Sequence, residues 1–253
     1  MDRRKFVGIS AAGLAAGAAP VSAATPRAPL EHADLLAVGR LDTPTVANAI
    51  ETFDVRPRSE GFMWPEIRSI FPDFPSIAGY AVTCRIRAKE PRAGSADYVQ
   101  RFDWWDFIVS VPPPRIAVIE DLDDPPGVGS FWGEVNGSIH QALGCLGVVT
   151  NGGVRDLKEV REMGFHYFAQ HVVVSHAYVH QIEIGKPVDV GGITVSPGDL
   201  IHADKHGVHT VPLDIAAEIP EAAARIYERE HRVIDYCHSP AFSLEGLKEL
   251  VSG

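Results

Sequence analysis

An apolar run, two glycines and then an arginine directly followed by an aspartate form the densest chemical signal in the sequence. The stretch reads Asn151-Gly152-Gly153-Val154-Arg155-Asp156-Leu157-Lys158-Glu159. Arg155 offers a planar fork of donors that matches a carboxylate. Asp156 offers the hard oxygens that Mg²⁺ or Mn²⁺ prefers. Gly152 and Gly153 would let the backbone approach a ligand closely. Adjacent Arg and Asp also suit an exposed ion pair or the decoration of a helix start. Two groups of histidines are further candidates for a base or a metal ligand. His166, His171, His176 and His180 form one, and His202, His206 and His209 the other. Neither has the i, i+4 spacing of a helical ligand pair. Strand alternation puts His202 and Asp204 on one face. Both groups read as polar faces of edge strands and turns.

The elements that must position these residues follow from periodicity. Residues 146–150 are an apolar strand, and Asn151-Gly152-Gly153 reads as the turn that ends it. Asp156 to Met163 reads as a helix with Gly164 at its C-terminal cap. Val135, Ile139, Ala142 and Leu143 share one face of a helix over 133–144. Residues 133–168 thus alternate helix, strand, helix, strand, the pattern of parallel strands with crossover helices. In such folds the sites lie beyond the carboxyl ends of the strands. Upstream, Asp42-Thr43-Pro44 starts a helix, residues 54–76 form a loop, and Ile77–Arg87 and Arg115–Glu120 are strands. Asp103–Val109 reads as a short aromatic helix before Pro112-Pro113-Pro114. Downstream, short strands at 171–174, 188–190, 193–195 and 208–211 form a β-rich layer. Residues 214–231 and 243–251 read as helices.

The chain has 253 residues and a formal charge of −10, which argues against a partner with a phosphate backbone and so against nucleic acid. A single Arg in a desolvated site can still hold an acidic substrate. Cys84, Cys145 and Cys237 are far apart and lack zinc-type spacing. Cys145 reads as a small buried apolar residue. A Cys84–Cys145 bridge stays open for an exported chain. The sequence begins Met1-Asp2-Arg3-Arg4-Lys5-Phe6-Val7, followed by a short Ala/Gly-rich run and small residues to Ala24. That is the pattern of a twin-arginine export signal over residues 1–24, too short to span a bilayer. The expected location is the periplasm. Residues 25–39 read as a linker and 40–253 as the folded domain, with no membrane span once the leader is removed.

The order of three motifs resembles the RraA-like family. They are Gly133-Glu134-Val135, then Gly152–Glu159, then Gly191-Gly192-Ile193-Thr194-Val195-Ser196-Pro197-Gly198-Asp199-Leu200-Ile201-His202-Ala203-Asp204. Asp42-Thr43-Pro44-Thr45-Val46-Ala47-Asn48-Ala49 resembles the family's first helix, and the likeness covers residues 40–245. The family holds 4-hydroxy-4-methyl-2-oxoglutarate/4-carboxy-4-hydroxy-2-oxoadipate aldolases and ribonuclease E regulators. The resemblance implies an α/β domain of the swivelling β/β/α kind with a C-terminal helical extension, assembled as a homotrimer or homohexamer. It implies a class II aldolase that also decarboxylates oxaloacetate. Arg155 would hold the carboxylate of a small 2-oxo acid, with Asp156 on Mg²⁺ or Mn²⁺ and a metal-organised water moving the proton. The backbone at Gly133, Glu134, Val135 and Asn136 would contact substrate. Glu228 or Glu230, from a neighbouring subunit, would face the metal. The other readings are a non-catalytic regulator that binds ribonuclease E, and a periplasmic 2-oxo-acid binding module. The chain departs from the family pattern at Asn48, usually Asp, and at Val135 and Asn136, commonly Leu. Those departures bear on substrate choice more than on the metal.

Overall fold

The structure, a computed structural model, describes residues 29–93 and 99–252. The expected export signal lies outside these residues. The helices are α1 (His32–Gly39), α2 (Thr43–Glu51), α3 (Arg101–Ser110), α4 (Glu134–Ala142), α5 (Leu157–Glu162), α6 (Ile219–His238) and α7 (Leu244–Ser252). The strands are β1 (Arg68–Ser69), β2 (Ile77–Arg87), β3 (Arg115–Asp121), β4 (Ser130–Trp132), β5 (Cys145–Val154), β6 (His166–Val172), β7 (His180–Ile184), β8 (Val188–Val190), β9 (Ile193–Val195), β10 (Leu200–Asp204) and β11 (Gly207–Val211).

One large sheet runs β1-β6-β5-β3-β2-β10-β11. Its centre, β2-β3-β5-β6, is parallel, as the alternation of helix and strand predicts. The far edge of β2 is shared, with β10 antiparallel to its start and β7 to its end. The sheet nearly closes on itself. Met63 N donates to Val208 O (2.8 Å) and Thr210 N to Gly61 O (2.8 Å), so the chain leading to β1 also lies along β11. A nearly closed sheet has two apolar faces. Inside, Ile116, Val118, Val149, Phe168 and Ile201 pack against Val188, Val190 and Val195 of the β8–β9 hairpin, which plugs the interior. Outside, Val82, Ile119, Val148 and Tyr167 pack beneath the helices.

Two expectations are corrected. Residues 32–39 are not linker but helix α1, because Leu35 and Val38, one turn apart, are buried in the outer core. Each such burial stabilises by roughly 1.5–3 kcal/mol, which the surrounding Pro- and Ala-rich composition concealed. The Asn151-Gly152-Gly153 stretch is not a turn. It continues β5, with an irregularity between Thr150 and Gly153 in its pairing with β6. The last strand of the 133–168 alternation is β6, which runs on to Val172, so no separate strand forms at 171–174. Four strands, β1, β4, β7 and β10, join those expected. At the other end, α6 buries Ile219, Ala222, Ala223 and Ile226, one helical stripe, and leaves its later turns exposed. It packs on α2, α1 and α7, which gives the helical C-terminal extension. No helix among the described residues is long and apolar enough to cross a membrane.

Candidate active site

β4 and β5 run parallel with Trp132 opposite Val154. Their carboxyl ends therefore bring Gly133 and the Arg155-Asp156 pair to one corner. Arg155 N donates to Trp132 O at 3.3 Å. The corner is tight. A Cβ on Gly133 would lie 2.4 Å from Asp156 Oδ2 and 3.3 Å from Arg155 Nε. Only glycine fits there while Asp156 keeps its place.

Asp156 sits at φ 54°, ψ 45°, in the left-handed region. For a side chain with a Cβ this costs on the order of 1–2 kcal/mol, least for Asn and Asp. The turn aims the carboxylate away from α5, which receives no side-chain cap. Asp156 Oδ2 instead accepts from Glu134 N at 3.0 Å, at the start of α4. Oδ1 has no hydrogen-bond partner among the described residues. Arg155 Nε stands 3.9 Å from Asp156 Oδ2, and both side chains are about a third exposed, at 35% and 36%. The guanidinium is held near the carboxylate without being consumed by it.

The first turn of α4 supplies the remaining groups. The N–H groups of Val135 and Asn136 precede any intrahelical partner and point along the helix start, where the helix dipole favours an anion. The turn is braced from behind. The Asn136 side-chain amide donates to Phe131 O. Trp104 Nε1 donates to His140 Nε2 (2.8 Å), and His140 Nδ1 meets Asn136 O (2.6 Å). An indole N–H only donates. The His140 proton therefore sits on Nδ1 and goes to Asn136 O. Burial lowers the His140 pKa to about 4, so the ring stays neutral at pH 7. Trp104 and His140 lie 36 residues apart, with no local signal that they pair.

Gly152 and Gly153 are tightly packed by their neighbours. A Cβ on Gly153 would lie 2.6 Å from Val173 Cγ2, and one on Gly152 would lie 3.2 Å from Asp121. These glycines are small because side chains of neighbouring segments press on them. Asn151 makes a paired contact with the Asp121 backbone, Asp121 N to Oδ1 at 2.7 Å and Nδ2 to Asp121 O at 3.0 Å. It ties the end of β3 to β5 beneath the corner.

The histidines divide. His171, His176, His180 and His206 lie at or near the surface, as expected of turns and edges, but His166, His202 and His209 are buried. Their strands are covered on both sides, which reverses the reading of those three as surface groups. The three cysteines are free.

Among the described residues, no group of three or more His, Cys, Asp or Glu is arranged to hold a metal. Asp156 offers an open carboxylate oxygen at this corner. That suits a Mg²⁺-like ion that keeps most of its waters, and not one fully caged by protein. Glu228 and Glu230 lie on exposed turns of α6, and neither is joined to Arg155 or Asp156 within the chain.

The profile of the RraA-like family (Aldolase/RraA) matches residues 43–209. An uncharacterized protein of Methanocaldococcus jannaschii is 28% identical over 134 residues, covering 52% of this chain and 64% of that protein. A Halalkalibacterium halodurans protein named as a 4-hydroxy-4-methyl-2-oxoglutarate aldolase is 32% identical over 73 residues, 28% of this chain and 35% of its own. The matches thus span less than two thirds of these relatives' length. The crystal structure of Streptomyces coelicolor RraAS2, titled an unusual member of the RNase ES inhibitor RraA protein family, aligns with a TM-score of 0.62 at 20% identity. The alignment covers 79% of this chain and 96% of that one. The family includes both aldolases and RraA regulators, its members are typically oligomeric, and aldolases of this fold commonly depend on a divalent metal. From the motif order, the nearly closed sheet and the profile match together, this chain belongs to the RraA-like family.

Proposed function

We propose that the chain is a divalent-metal-dependent class II aldolase. It would cleave 4-hydroxy-4-methyl-2-oxoglutarate-like 2-oxo-dicarboxylates to pyruvate and decarboxylate oxaloacetate at the same site. The observation that carries this reading is the corner itself, with an open Asp156 oxygen, an unconsumed Arg155 guanidinium and two free amides together. Arg155 binds the substrate carboxylate in its planar fork. The Val135 and Asn136 N–H groups hold an anionic oxygen at the start of α4. Asp156, fixed by Glu134 N, would hold Mg²⁺ or Mn²⁺ through Oδ1. When bound, that ion supplies Lewis acidity for the charge that develops as the carbon–carbon bond breaks. Glu228 or Glu230 of a neighbouring subunit would complete the site in a homotrimer or homohexamer. The leader would carry the protein to the periplasm.

The test is pyruvate release from 4-hydroxy-4-methyl-2-oxoglutarate and from oxaloacetate, with Mg²⁺ and again with EDTA. Metal-dependent release from either is the expected result. No release by folded, Mg²⁺-supplied protein would turn the reading toward a non-catalytic RraA-type regulator or a 2-oxo-acid binding module.

A further inference from the structure

A second opening lies at the far end of the sheet. β5 runs from Cys145 to Val154. At about 3.3 Å per residue its two ends are roughly 30 Å apart. The Arg155-Asp156 corner follows the last residue, and the opening borders the first. It is a cavity of about 600 Å³ between α1 and the amino ends of β2, β5 and β6. That is within the usual size of a small-molecule site, roughly 300–1,000 Å³.

Its walls are mostly apolar, from Leu35, Leu36, Ile77, Pro113, Pro114 and Leu146. Gly164 leaves one side open, since nothing lies within 4 Å of where its Cβ would be. The polar groups are few. His166 lines the cavity, only 7% exposed, with its ring against Phe74 at 5.0 Å and Phe168 at 6.1 Å. Among the described residues its ring nitrogens have no hydrogen-bond partner. Burial lowers its pKa to about 4, so it is a neutral hydrogen-bonding group set in an apolar wall. Neither nitrogen is among the fully enclosed unpartnered atoms, so the ring opens to the cavity and is free to bond what enters it. At the rim stand Arg40 and His32, and Arg40 has no ion pair among the described residues. No described carboxylate lines the cavity, although the chain has 33 Asp and Glu against 23 Lys and Arg. In so acidic a protein, an apolar cavity free of acids with an unpaired guanidinium at its mouth is complementary to an apolar anion.

We infer that this cavity binds a small amphipathic carboxylate, with the carboxylate on Arg40, an aromatic or short aliphatic body between α1 and Pro113-Pro114, and His166 meeting a polar atom of the body. The inference is independent of the aldolase reading, because it uses none of the residues at the other corner.

The probe is 3-phenylpropanoate, titrated into the full chain by calorimetry beside the neutral 3-phenylpropanamide. One saturable site is expected, with the amide at least about tenfold weaker and Arg40→Gln weakening the acid by a similar factor, the scale of one lost charge-assisted contact. His166→Phe keeps the ring and removes the nitrogens, and should weaken binding several-fold. Should that variant not fold, Leu36→Trp, at the exposed rim, tests the same cavity by blocking it. Arg155→Ala should leave the titration unchanged. The inference is overturned by no saturable binding, by equal affinity for acid and amide, by an unchanged Kd in Arg40→Gln, or by loss of binding in Arg155→Ala.

Discussion

Two regions of this molecule carry polar side chains close together, and they differ in what is left over. At β10, β11 and the start of α2, Asp204 accepts from Thr43 N (2.9 Å), Thr43 Oγ1 and His206 N (2.7 Å). His202 Nε2 faces Leu41 O at 3.1 Å, so it must donate, and its bare Nδ1 then accepts from His209 Nε2 at 3.2 Å. Of this knot only His209 Nδ1 lacks a partner. Burial tends to raise the Asp204 pKa, but the bonds from Thr43 and His206 outweigh it and hold the carboxyl below its usual range. The knot is rich in the residue types of catalysis, yet nearly every atom is spent on holding α2 to the sheet. The corner at Gly133, Arg155 and Asp156 has fewer groups, but a carboxylate oxygen, a guanidinium and two amides remain open. The presence of reactive residue types is a weaker guide to function than the atoms left without a partner.

The largest effect should come from the corner. Arg155→Ala should lower kcat/KM for pyruvate release by about 10²–10³-fold, the scale of removing one well-placed charged contact, with an unchanged melting temperature. A loss below tenfold in steady-state assays would put the carboxylate elsewhere. Gly133→Ala should cost about tenfold or more in the same assay. Its methyl would sit where Asp156 Oδ2 now lies, and the carboxylate must move. Full activity in that variant would mean that the Asp156 position is not critical.

Legibility in the sequence follows the same division. Arg155 and Asp156 are adjacent on the chain, and the strand before them and the helix after them have clear periods. Their place at a strand's carboxyl end could be read directly. The contact of Gly133 with Asp156 could not, because it depends on the register of β4 against β5, whose paired ends Trp132 and Val154 are 22 residues apart in sequence. The Trp104–His140 brace is equally hidden. The knot is hidden for a related reason. His202 and His209 sit in short strands with polar neighbours, and only the antiparallel pairing of β10 with β2 and β11 covers them. The leading helix α1 borders a Pro- and Ala-rich stretch, and its two anchoring side chains are too few to set a period.

The knot should yield a stability effect and little else. Asp204→Ala leaves two backbone N–H groups and a hydroxyl without an acceptor, and should lower unfolding free energy by roughly 2–4 kcal/mol. Urea titration would measure it, and pyruvate release below the melting temperature should stay within about twofold of the parent. Acid gives a graded effect, smaller for each ring taken singly. Burial lowers His140 and His166 from 6.5 to about 4 and His209 to about 3. Above pH 6.5 these rings are neutral in both folded and unfolded chains. Below it the unfolded chain takes up protons that the folded one refuses, so stability falls from about pH 6.5 down toward 4 and 3. Between pH 7 and 5 each ring should cost about 2 kcal/mol. Melting temperatures across that range that do not fall would contradict the burial of these rings.

The most direct test compares the two aspartates side by side. Pyruvate release from 4-hydroxy-4-methyl-2-oxoglutarate with saturating Mg²⁺ would be measured for Asp156→Asn and Asp204→Asn at a temperature where both are folded. Loss of release in Asp156→Asn, with near-parental release in Asp204→Asn, is the expected result. Release retained by Asp156→Asn and lost in Asp204→Asn would move the chemistry to the histidine knot and contradict the account.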